Sequence, residues 1–138
     1  MYQYKCVLDR VVDGDTVDVH IDLGFDVWLR HQRVRLSGID CPEVRTRDDV
    51  EKIFGNAAMD RVVEVLSAET IVLDSQAFEG KFGRILGDFY VAGDSRSLTE
   101  ILLEERHAVL YDLPDEEKQQ AVLENRRILV ETGKVIVQ

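Results

Sequence analysis

Residues Val17-Asp18-Val19-His20-Ile21-Asp22-Leu23 alternate apolar and polar side chains almost without fault. A period of two puts Val17, Val19, Ile21 and Leu23 on one face of a β-strand and the polar residues on the other, so one face is buried and the other is wet. Gly24 interrupts the pattern, and a second long strand runs from Val27 to Leu36, with Val34 and Leu36 on one face and Arg33 and Arg35 on the other. Gly38 and Pro42 end it. Strands of this kind need partners to cover their apolar face, and the rest of the chain supplies them.

Met1 to Leu8 reads as the approach to a strand. Met59, Val62, Val63 and Leu66 form one apolar stripe at helical spacing. Thr70 to Leu73 and Arg84 to Val91 read as strands joined by a loop holding Gly80 and Gly83. Leu98, Ile101 and Leu102 mark a short helix. Pro114 opens a longer one whose Asp115, Glu116 and Glu117 suit the positive end of the helix dipole, and Gly133 ends it. Strands first, a helix among them and helices last predict an α+β domain. A five-stranded barrel of the OB type with about three packed helices accounts for that order.

The 138 residues predict one domain, 1–138, long enough to bury a core without disulfides. With 45% apolar and 32% charged residues the chain is not of the disordered class, and its apolar runs are too short to span a membrane. Cys6 and Cys41 make neither a disulfide framework nor a CxxC metal motif. No basic segment followed by an apolar run opens the sequence, so no signal peptide is expected and a cytoplasmic location fits. The net charge of −10 runs against affinity for polyanions. It is unevenly spread: Arg30, Arg33, Arg35, Arg45 and Arg47 crowd one stretch, whereas the acids gather late. Arginine suits bidentate phosphate recognition.

Three segments carry chemistry. In Asp13-Gly14-Asp15-Thr16 one carboxylate can face a shared site while the other caps the turn; a plain Asp-Gly turn has the same sequence. In Arg35-Leu36-Ser37-Gly38-Ile39-Asp40-Cys41-Pro42-Glu43 two carboxylates follow a guanidinium closely, which suggests a hard-cation site beside an anion site; a surface ion-pair cluster is the alternative. In Gly80-Lys81-Phe82-Gly83-Arg84 glycines free the backbone to approach a ligand and deliver two basic residues, as would an exposed hairpin. His20, His31 and His107 are far apart in sequence and suggest no metal cluster.

Taken in order, DGDT at Asp13 to Thr16, VRLSGIDCPE at Val34 to Glu43 and KFGR at Lys81 to Arg84 resemble the staphylococcal nuclease family. The resemblance extends roughly from Val7 to Gly133, including the intervening helix and the two late ones. It implies a calcium-dependent, sequence-nonspecific nuclease that hydrolyses phosphodiester bonds of DNA or RNA and leaves 3′-phosphates. It also implies a Ca²⁺ held by Asp15, Asp40 and the backbone carbonyl of Cys41. Glu43 would act as general base or orient the attacking water, and Arg35 and Arg84 would grip the phosphate. Lys81 and Tyr111 match positions that help bind the nucleotide, although Tyr111 also fits a core aromatic. A nucleic-acid-binding module with lost catalysis is the competing reading; such a module should lack one of these catalytic or metal-holding residues, and all are present. Phe82 stands where Tyr is common. The stretch from Gly24 to Gln32, with Phe25 and Trp28, is longer than in the secreted prototype and predicts an extended hairpin, with Trp28 either packed on protein or stacked on a base.

Overall fold

The computed structural model describes residues 2–137. Its elements are β1 (Tyr2–Asp13), β2 (Thr16–Asp22), β3 (Trp28–Leu36), β4 (Ile39–Asp40), α1 (Asp49–Leu66), β5 (Ile71–Glu79), β6 (Arg84–Val91), α2 (Leu98–Glu104), β7 (Val109–Leu110) and α3 (Asp115–Glu131). The long strands close into a five-stranded barrel in the order β1-β2-β3-β6-β5. All its pairings are antiparallel except β3 with β6, which run parallel with Arg35 beside Leu86. With three helices against it, this is the α+β, OB-type architecture that the sequence predicts.

The alternating residues do what their period demands except Leu23, which lies just beyond β2 and is exposed. Val17, Val19, Ile21, Val34, Leu36, Leu73 and Phe89 fill the barrel, and Val62, Leu66, Leu98 and Leu102 from α1 and α2 complete its core. A smaller cluster of Phe54, Leu129 and Val135 ties α1 to α3 and the segment after it. Two of the buried carboxylates are well partnered. Asp18 accepts from Arg10 (2.8 Å) and Arg33 (2.9 Å), and the arginine partners hold its carboxyl below the usual range against the opposing effect of burial. Asp88 accepts from the Thr99 amide (3.1 Å) and hydroxyl (2.6 Å), which fixes α2 on the barrel. Among the described residues no helix is long and apolar enough to cross a membrane.

Three elements differ from expectation. α1 begins well before its apolar stripe, because Asp48 caps it by accepting from the Val50 and Glu51 amides. β5 runs on past Leu73 to Glu79 through a bulge between Ser75 and Ala77, so the expected glycine loop shrinks to a tight turn. A small second sheet, β4 with β7, pairs Asp40 with Val109, contacts too short to show a period. The hairpin between β2 and β3 is present, and Trp28 opens β3 with the Arg30 guanidinium 5.0 Å from its ring centroid.

Candidate active site

The β1–β2 turn sets the first carboxylates. Asp13 pairs with Thr16, leaving Gly14 and Asp15 at the tip. A Cβ at position 14 would lie 2.8 Å from the Ala58 Cβ and 3.0 Å from the Cys41 side chain, so only glycine lets the turn nest against α1 and the β4 exit. The Asp15 carboxylate accepts from the Thr16 hydroxyl (3.1 Å) and the Cys41 amide (2.9 Å). Asp13 does not cap its own turn; it accepts from the Val44 amide (3.1 Å), 31 residues on, and anchors the loop that follows β4.

Strand β3 brings Arg35 beside this turn, opposite Thr16. The guanidinium is mostly buried. Its Nη1 donates to the Leu36 carbonyl (2.8 Å), and its Nη2 donates to Asp40 (2.6 Å) and lies 3.6 Å from Asp15. Asp40, placed by the β4–β7 pairing, gives its second oxygen to the Lys118 ammonium from α3. Lys118 also donates to the Tyr111 carbonyl (3.2 Å). Glu43 is exposed on the loop after β4, with its amide directed to the Glu51 carboxylate (3.3 Å). Asp15, Arg35, Asp40, Cys41, Glu43 and Lys118 line one cavity of about 450 Å³ between the barrel and α3.

The chemistry of this cavity follows from its donors. Burial, then the charges of Asp15, Asp40 and Asp13, push the Cys41 thiol well above its ordinary pKa, with Arg35 opposing. The thiol therefore stays protonated, and the hard donor Cys41 offers is its carbonyl. Two carboxylates and a carbonyl make an all-oxygen set of the kind that suits Ca²⁺ or Mg²⁺ rather than softer metals. Arg35 supplies a fixed, planar cation next to it, suited to an anionic group such as phosphate.

Arg84, Lys81 and Tyr111 do not line the cavity. The β3–β6 register places Arg84 on the adjoining strand, on the same sheet face as Arg35, with its Nε on Glu79 (2.6 Å). Its guanidinium and the Lys81 ammonium lie 4.9 Å and 5.7 Å from the Phe82 ring centroid, so Phe82 organises both basic side chains at the hairpin tip. Tyr111 is exposed at the cavity rim, its ring 5.0 Å from Lys118; it is not a core aromatic. Sequence reasoning missed Lys118. Its signal is a lone cation in the acidic opening turn of α3, where the dipole disfavours positive charge unless a partner offsets it. The expectation for the histidines is corrected in part: His107 stands apart and buried, but His20 and His31 meet Asp9 on the barrel wall.

Residues 33–128 match the family model described as staphylococcal nuclease homologue. Three Bacillus subtilis (strain 168) proteins are similar. The SPbeta prophage-derived endonuclease YokF is 34% identical over 110 residues, 76% of this chain and 34% of its own length. Endonuclease YncB is 32% identical over 110 residues, 76% of this chain and 48% of its own. Endonuclease YhcR is 29% identical over 108 residues, 72% of this chain and 8% of its own. The chain thus spans less than half the length of each of these relatives.

Proposed function

The chain belongs to the staphylococcal nuclease family, and from that premise we propose that it is a calcium-dependent, sequence-nonspecific nuclease that hydrolyses phosphodiester bonds of DNA or RNA and leaves 3′-phosphates. The observation that carries the proposal is the convergence of Asp15, Arg35, Asp40 and Glu43, from the β1–β2 turn, β3, β4 and the following loop, on one cavity. The endonuclease names of the relatives support the same reaction class.

Asp15, Asp40 and the Cys41 carbonyl would hold the calcium ion. When bound, the ion supplies Lewis-acid stabilisation of charge on the phosphate oxygens. Arg35 then turns from the carboxylates to the phosphate and stabilises the charge that grows on the non-bridging oxygens, an interaction stronger in the transition state than in the ground state. Its bond to the Leu36 carbonyl fixes the plane of the guanidinium while it does so. Glu43, unpaired through its side chain and open to water at the rim, orients the attacking water or accepts its proton. Arg84 reaches the same phosphate by giving up Glu79, while Lys81 and Tyr111 hold flanking parts of the strand. Single strands fit the exposed Phe82 and Tyr111 rings, which offer stacking surfaces.

The test is incubation of the purified protein with single-stranded and duplex DNA and with RNA, in calcium, in magnesium and in chelator. The expected result is cleavage with calcium that chelator abolishes, and products that a polymerase extends only after phosphatase treatment. Tight binding without cutting in every metal would replace this reading with a nucleic-acid-binding module.

A further inference from the structure

A second group of ligand-type side chains lies on the outer wall of the barrel. His20 is on β2, roughly 13 Å along that strand from Thr16 at the catalytic end. Both neighbouring strands are irregular near it, β1 opposite Val19 and Asp18 and β3 opposite His20 itself. On β1 the register slips between Leu8 and Arg10, which leaves Asp9 as an extra residue. On β3 the register slips opposite His20, where Arg30 and His31 together occupy one step. A bulge re-aims a side chain, and these two aim theirs at the same point. Asp9 Oδ2 lies 2.8 Å from His31 Nδ1, Asp9 Oδ1 lies 3.7 Å from His20 Nε2, and the two imidazoles meet edge to face at 4.8 Å between centroids. His31 holds φ at +56°, a left-handed conformation that side chains other than glycine, asparagine, aspartate and histidine seldom adopt.

We propose that Asp9, His20 and His31 bind a divalent transition metal, Zn²⁺ or a similar ion, in a site separate from the catalytic cavity. Two nitrogens and one carboxylate make a borderline donor set that favours zinc, nickel or cobalt over calcium. The three ligand atoms lie within 4.8 Å of one another. Metal–ligand bonds of about 2.0–2.2 Å need the widest of these separations to close by roughly 1 Å, and the His31 side chain, 73% exposed, is free to swing in. Three protein ligands leave a fourth position for water. The bound ion would clamp β1, β2 and β3 at the root of the hairpin that carries Phe25 and Trp28.

Proton placement limits the affinity. A carboxylate only accepts, so His31 now carries its proton on Nδ1 toward Asp9. On ligation that proton moves to the exposed Nε2, where water accepts it, and the bond to Asp9 gives way to the shared ion. His20 Nδ1 accepts from the His31 amide (3.1 Å), so neutral His20 carries its proton on Nε2. Ligation through Nε2 transfers it to Nδ1 and breaks that bond, which lowers affinity by roughly tenfold. Binding roughly tenfold weaker than that of a comparable preformed site is therefore expected.

The experiment is a Zn²⁺ titration of the Asp15→Asn/Asp40→Asn protein, which removes the catalytic carboxylates from the count. It is followed by calorimetry and by the imidazole ¹⁵N resonances. The expected result is one equivalent bound, with shifts at His20 and His31 and none at His107. Calcium in excess should not displace the ion, and His31→Asn should weaken binding tenfold or more. Asparagine tolerates the left-handed backbone, so that variant keeps the bulge; Asp9→Asn serves as the second variant. Unchanged affinity in both variants, or shifts at neither His20 nor His31, would overturn the proposal.

Discussion

Gly55 lies in the middle of α1, where glycine costs about 1 kcal/mol relative to alanine. It is there because α1 crosses the loop that carries Glu43 at very short range. A Cβ at position 55 would lie 2.5 Å from the Glu43 carbonyl oxygen, 2.7 Å from its carbon and 3.0 Å from the Pro42 oxygen. These are backbone atoms, so no rotamer change relieves the clash. In Gly55→Ala the gap must open from 2.5 Å to ordinary contact at 3.4 Å, a displacement of about 0.9 Å. Overpacking of this kind costs about 1–3 kcal/mol, and the gain in helix propensity offsets about 1 kcal/mol of it. The melting temperature should therefore fall by only a few degrees. The loop moves with Glu43, and if Glu43 has the proposed catalytic role, its misplacement by about 1 Å costs on the order of 100-fold in rate. The assay is kcat/KM on single-stranded DNA beside thermal unfolding of the same preparation. Activity within threefold of the parent protein would refute the reasoning, since α1 would then not decide where Glu43 stands.

Lys118 pairs with Asp40, one of the proposed calcium ligands. Lys118→Met should therefore raise calcium affinity several-fold in a calorimetric titration, and weaker binding would mean that the lysine helps to shape the site instead. His107 is buried with its Nδ1 unpartnered, and burial pushes its pKa below the ordinary value, with Lys134 and Arg61 adding to the effect and Glu105 opposing it. Because the folded-state pKa is the lower one, the unfolded chain takes up the proton first. The stability from neutral His107 is complete above about pH 6.5 and is lost as pH falls toward the folded-state pKa, by at most about 1.4 kcal/mol per pH unit. Denaturant unfolding at pH 7.5 and pH 5.5 should differ less in His107→Leu than in the parent, and an equal difference would contradict the assignment.

The barrel was legible because alternation over Val17–Leu23 and Val27–Leu36 is a direct imprint of a half-buried sheet, and the helices because their stripes and caps are local. The β4–β7 pairing was not legible: Ile39–Asp40 meets Val109–Leu110 across about half of the chain in strands of two residues, which leave no periodicity. That Asp15, Arg35, Asp40 and Glu43 come together at one cavity was readable from DGDT and the stretch Arg35 to Glu43, since carboxylates and arginine are conspicuous near turns. Lys118 was hidden because its partner Asp40 is 78 residues away, and Asp9, His20 and His31 because bulges, which no pattern announces, bring them together. Gly55 is a spacer between α1 and the Glu43 loop, and helix propensity alone gives no sign of that. In each case the missing information is a close approach between distant segments, set by packing rather than by local preference.

The most direct measurement of the central claim is the single-turnover rate of DNA cleavage in saturating calcium for the parent protein and for Glu43→Gln, with calcium affinity and melting temperature measured on both. The glutamine keeps the size of the side chain but cannot take a proton. If Glu43 serves the attacking water in the Asp15–Asp40 cavity, the rate falls by about 10²–10⁴ while calcium affinity and folding stay close to those of the parent. An unchanged rate, with calcium bound and the fold intact, would contradict the account and place the chemistry elsewhere.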